Sequence, residues 1–220
     1  MSIFTTLALR LFGISGIIGS ILFIIGDLLY NHIPGSTDSN ELRLSKIPEA
    51  RLLNGGALGL VGCWFYTLAA FHLFIAFRPA GDAFAFILSL AFGATMISYG
   101  VLHAAYVAIP AGAQVAAKLG ADTELGGRLG WDFFGRLLNI TYIPVAIFSL
   151  MMLFGIVTGH SMYPRWMVVF LPIILYLLRT PMVKIFRGHL KEMIAHAYDN
   201  IILFVFFVLS TVVLWNGLVS

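Results

Sequence analysis

Asp27 follows an apolar run, residues 14–26, broken only by Ser15, Ser20 and glycines. A carboxylate inside hydrocarbon costs several kcal/mol, so such a group faces a bundle interior or a wet cavity and takes a partner there. Three other positions carry acid–base side chains in comparable settings. His103 lies six residues before the end of its apolar segment, too deep to snorkel to the headgroups. His196 and Asp199 stand one turn apart just before the last apolar segment. Carboxylate and imidazole groups are the usual general acids and bases, and Asp27, His103, His196 and Asp199 form the candidate catalytic set.

Spacing supplies a second set. Tyr99, His103 and Tyr106 recur at i, i+4 and i+7, which places them on one helical face. Asp132, Arg136 and Asn139 repeat that spacing, and Asp132 can also pair with Arg136 along its own helix. Tyr99, Tyr106, Arg136, Asn139, Tyr176 and Arg179 are read as the substrate-binding set, with Arg136 and Arg179 suited to anionic groups. His189, Glu192, His196 and Asp199 share one face of a further helix, and Leu190, Met193, Ile194, Ala197 and Ile201 share another. That pattern makes an amphipathic helix at the membrane interface. All four polar residues are also metal-ligand types. One helix rarely supplies a whole metal site, so Asp27 or His103 would have to complete it. No metal ligand is assigned, and a divalent metal stays open as a cofactor. The His-Glu-x-x-His motif, a nucleophile elbow, a phosphate loop and a dinucleotide fingerprint are all missing.

The elements that must position these residues are membrane helices. The chain of 220 residues is 60% hydrophobic and 10% charged, against about 25% charged for a soluble domain. Six apolar segments approach the roughly 20 residues needed for a span: 7–30, 53–77, 83–109, 133–158, 166–183 and 200–217. The fifth is interrupted by Pro172 and Pro181 and carries Arg179 near its end, so a kinked or re-entrant path is expected there. Ten of the thirteen Lys and Arg residues fall in the first, third and fifth loops; Arg10, Arg78 and Arg165 fall on the other side. Cytoplasmic loops carry the basic excess, which places both termini outside.

The expected fold is therefore an all-α membrane protein, a single domain over 1–220. It is a bundle of six transmembrane helices, N-out and C-out, with an interfacial amphipathic helix before the last span. In the third loop, 111–119 suits a short interfacial helix, and the first loop contains the turn sequence Pro34-Gly35-Ser36. Gly16 with Ser20 and Gly55 with Gly59 make small-residue pairs that let helix backbones approach. Arg-Leu-Leu-Asn opens two spans, at 51–54 and 136–139, consistent with arginine anchoring each helix at the headgroups. Cys63 is the only cysteine, so no internal disulfide forms. No cleavable signal peptide is evident.

With this topology every span places polar groups in its inner third, while the outer halves are aliphatic and aromatic, with His72, His160 and Trp215 near the surface. An inner polar floor beneath an apolar outer half suits an intramembrane enzyme acting on a lipid- or isoprenoid-like small molecule by acid–base chemistry, metal-assisted or not. The expected partners are membrane lipids and that hydrophobic substrate. Scattered loop charges suit lipid headgroups rather than nucleic acid, and a homo-oligomer stays open. Two other readings fit: a small proton-coupled transporter, although no inverted repeat is evident, and a non-catalytic subunit of a larger complex. Reporter fusions at Arg43, Lys118 and Lys184 are predicted to report the cytoplasm; two of the three reporting the outside would overturn the topology.

Overall fold

Long runs of Leu, Ile, Phe and Ala, with no water to bond their backbone, fold into helices that close their own hydrogen bonds. The computed structural model describes residues 3–34 and 40–215, and among these there is helix and no strand. Gly35 and Ser36 of the first-loop turn lie outside the described residues, as does the end of the sixth predicted span. The elements are α1 (Ile3–Asn31), α2 (Asn40–Ser45), α3 (Glu49–Phe77), α4 (Asp82–Tyr106), α5 (Ala108–Lys118), α6 (Thr123–Val157), α7 (Pro172–Leu177), α8 (Arg179–Ile185) and α9 (Gly188–Val213). Five stretches are helical, long and apolar enough to cross a membrane: Thr5–Asn31, Glu49–Ala80, Asp82–Lys118, Thr123–Val157 and Gly188–Val213.

The stretch read as a fifth span is not one helix. It breaks into a 3₁₀ turn at Arg165–Phe170, then α7, then α8. Proline explains the breaks. Pro172 cannot donate a backbone hydrogen bond and pushes Leu171 into an extended conformation, with φ −61° and ψ 137°, before opening α7. Contacts place both ends of the broken stretch. At one end Met162 N–H donates to the Ala76 carbonyl at 2.8 Å. At the other, the Tyr198 hydroxyl donates to Leu175 O at 2.8 Å and Arg179 donates to Ala195 O at 3.0 Å. α9 returns to the starting end, where Arg10 Nε donates to Trp215 O at 2.7 Å. The amphipathic stretch before the last span is a helix continuous with that span, forming the first turns of α9. The short helix expected after the third span is present as α5.

Glycine hollows set the helix seams. α1 and α3 approach so closely that a Cβ on Gly26 would lie 3.0 Å from the Gly55 carbonyl oxygen. Phe23 fills the hollow at Gly62, and Tyr30 fills the one at Gly55. Gly16 receives Phe207 from α9, and Gly59 receives the His103 ring from α4. The small-residue pairs of the sequence thus serve packing, as their spacing implies. Phe23, Tyr66, Phe77, Phe92, Phe206 and Phe207 are fully buried in the core.

His72 differs from its expected place near the surface. It is fully buried, because α1 and α9 close over it. Its Nδ1 lies 2.9 Å from Leu9 O, and its Nε2 lies 2.5 Å from Ser210 Oγ. The carbonyl requires Nδ1–H, so Ser210 donates to Nε2 and accepts from the Tyr163 hydroxyl at 2.7 Å. Every polar atom of His72 is satisfied, which lets it sit in the apolar half. Gly62→Val is predicted to displace Phe23 and cost about 1–3 kcal/mol by overpacking. Gly93→Ala, where a Cβ meets nothing within 4 Å, should leave the melting temperature in detergent equal or slightly higher, since alanine suits a helix interior better than glycine.

Candidate functional site

Asp27 lies in the last turns of α1, where the Gly26–Gly55 contact holds that helix against α3. Its side chain is 13% exposed. Its Oδ2 accepts from Asn200 Nδ2 of α9 at 2.7 Å, and its Oδ1 lies 3.5 Å from His103 Nε2 of α4. The other ring nitrogen of His103, Nδ1, bonds the Tyr30 hydroxyl. An ionised Asp27 takes the Nε2–H tautomer of His103, whose Nδ1 then accepts from Tyr30. The imidazole edge also meets the Phe23 ring, with centroids 4.3 Å apart. Gly59 is required beneath it, because a Cβ there would collide with the ring. A proton-bearing chain of Tyr30, His103, Asp27 and Asn200 therefore links α1, α4 and α9.

This chain forms one wall of a cavity of about 380 Å³. Asp27, His103, His196 and Asp199 line it, and so do Tyr99, Tyr106, Tyr176 and Arg179. The Tyr106 hydroxyl donates to Asn31 Oδ1 at 2.5 Å, and its ring stacks on Tyr30 at 4.8 Å. Arg179 NH1 is 3.9 Å from Asp199 Oδ1, a loose pair with both side chains nearly half exposed. α2 brings Arg43 to the rim, where its NH1 donates to His196 Nε2 at 2.8 Å. A smaller apolar cavity of about 100 Å³ adjoins the first. Met96, Val145, Phe148, Pro172, Ile202 and Leu203 line it, and it shares Tyr99, Tyr142, Tyr176 and Asp199 with the larger one.

Arg136 and Asn139 do not belong to this group. Both are exposed on α6, on the same outward stripe as Asp132. α6 turns Phe134, Leu138 and Tyr142 to the cavity instead. Helical spacing puts residues on a common face but leaves open which face turns inward. The two Arg-Leu-Leu-Asn copies diverge accordingly: Arg51 NH2 donates to Leu28 O at 3.0 Å and His32 O at 2.8 Å, whereas Arg136 is exposed.

Tyr30, Asn31 and Tyr142 line the cavity without having been singled out, and Asn200, expected only as part of the inner polar floor, lines it too. Tyr30 lies three residues from Asp27 and Asn200 four from His196, so facing arithmetic finds both once the inward face is known.

The polar face of α9 divides between two places. His196 and Asp199 turn to the cavity, while His189 and Glu192 turn to His32. Among the described residues these last three form the one metal-competent group of three, with ligand atoms within 4.8 Å of one another. Burial, and then the charge of neighbouring His189, push the His32 imidazole below its ordinary range, while Glu192 opposes the shift.

No curated protein and no solved structure matches the chain. A family model matches residues 4–216, the whole of the helical bundle just described. The protein is an all-α, multi-pass membrane protein, and it belongs to the family of unknown function DUF6796.

Proposed function

We propose that the protein is an intramembrane enzyme that acts on an amphiphilic, lipid- or isoprenoid-like molecule by general acid–base chemistry. The observation that carries this reading is the joining of two unlike chambers. The Asp27–His103–Tyr30 chain lies at the wall of a polar cavity that shares Tyr99, Tyr142, Tyr176 and Asp199 with an apolar slot. An amphiphile would place its polar group at Asp27 and its tail along Met96, Val145 and Phe148. Asp27 would take a proton from the substrate or from water, with His103 and Asn200 holding the carboxylate in register. Arg179, in the cavity wall, and Arg43, at the rim, suit an anionic group on the polar end.

The same geometry disfavours carriage across the membrane. Beyond the cavity the bundle is filled by Phe23, Tyr66, Phe92 and Phe207, each at most 1% exposed. Transport needs a path that alternates between sides. A purely structural subunit would gain nothing from an open cavity beside a buried carboxylate. In this proposal the broken stretch at Arg165–Ile185 counts as a sixth pass. The basic loops then place the cavity end on the cytoplasmic side and both termini outside. One chain supplies the whole site, so the reading needs no second copy.

Purified protein incubated with a membrane lipid extract is expected to convert one component, detected by mass spectrometry. Asp27→Asn and His103→Gln should each slow conversion by about 100-fold or more, with folded yield retained. Equal conversion by wild type and both variants would overturn the proposal, as would flux of a labelled solute through proteoliposomes without chemical change.

A further inference from the structure

The cluster at the cavity rim is built differently from the Asp27 site. His32 sits one residue beyond α1, and His189 and Glu192 sit in the first turns of α9. The His32 and His189 Nε2 atoms are 3.2 Å apart. Two nitrogens bound to one tetrahedral ion at about 2.0–2.1 Å stand roughly 3.3–3.4 Å apart. A ligand atom of Glu192 lies within 4.8 Å of both imidazoles. We propose that His32, His189 and Glu192 bind a divalent transition ion of the zinc type, tying the end of α1 to the start of α9.

The donor set selects the ion. Two imidazoles and one carboxylate suit zinc and its neighbours, whereas magnesium and calcium take oxygen ligands. Three protein ligands leave a fourth tetrahedral position for water or substrate. The larger cavity is close by, since His196, which lines it, has its ring 6.3 Å from the His32 ring. The backbone is held for the task. Arg51 clamps the Leu28 and His32 carbonyls from α3, which fixes the end of α1. Arg43 and Arg51 also bring positive charge to this rim, so an ion is held by directed bonds rather than by a diffuse negative field. The competing account is a hydrogen bond between two imidazoles with Glu192 as a nearby counter-charge. It predicts no metal. The inference stands apart from the proposed reaction at Asp27.

The test uses full-length protein without a polyhistidine tag, purified in detergent and equilibrated with zinc or with magnesium. Zinc should bind at about one equivalent per chain and raise the melting temperature; magnesium should do neither. His189→Gln and Glu192→Gln should each weaken zinc binding by at least about tenfold. His189 is exposed, so its variant should melt like the metal-free wild type. His32→Gln probes the α1 side independently. His160→Gln, at the opposite end of the bundle, should bind like wild type. Zinc content unchanged in the His189, Glu192 and His32 variants, or no zinc on the wild type, would overturn the proposal.

Discussion

A carboxylate held between helices governs this bundle. Asp27 accepts from Asn200 of α9 and lies 3.5 Å from His103 of α4, so three helices meet at one depth. Without those partners the carboxylate would be buried unpaired, at a cost of several kcal/mol. The glycines follow from this requirement. Gly26 and Gly55 bring α1 against α3, and Gly59 opens the space that His103 occupies. A larger residue at any of these would separate the polar groups before it disturbed the apolar packing.

The two halves of the bundle solve opposite problems. Away from Asp27, aromatic rings interlock, with Phe92 edge-on to both Phe148 at 5.7 Å and Phe207 at 5.8 Å. Phe23, Tyr66, Phe92 and Phe207 are at most 1% exposed there, so that half is filled, and only Phe148 at its edge also lines the apolar cavity. Near Asp27 the helices diverge, since α6 packs on α4 and α5 while α9 packs on α1. The stretch between them cannot close the gap as a continuous helix would, because its prolines divide it into short pieces. The gap becomes the joined polar and apolar chambers. Pro172, which opens one of those pieces, itself lines the smaller chamber.

His72 and His103 show how similar groups serve different ends. Both are buried imidazoles on neighbouring helices. His72 bonds a carbonyl and a serine, inside a filled core, and its environment is complete. His103 bonds a tyrosine, lies 3.5 Å from the Asp27 carboxylate and lines open space. Burial alone does not separate a packing histidine from a reactive one. The partners and the adjoining cavity do.

Apolar length, the charge split and the scarcity of ionisable residues were legible in the sequence, and they determine an all-helical membrane bundle with polar groups gathered near one end. Asp27, His103, His196 and Asp199 were legible for the same reason: ionisable groups in or beside apolar helices need partners, and few are available. The rotation of α6 was not legible. Its outward stripe of Asp132, Arg136 and Asn139 has the same periodicity as the inward stripe of Tyr99, His103 and Tyr106. Periodicity defines a face, and only contact with α4 and α5 decides that Phe134, Leu138 and Tyr142 turn inward. Tertiary structure likewise decided that His32 meets His189 and that Asn200 meets Asp27, across separations of 157 and 173 residues. Such pairings depend on how helices lean together, which is a property of packed surfaces rather than of any one segment.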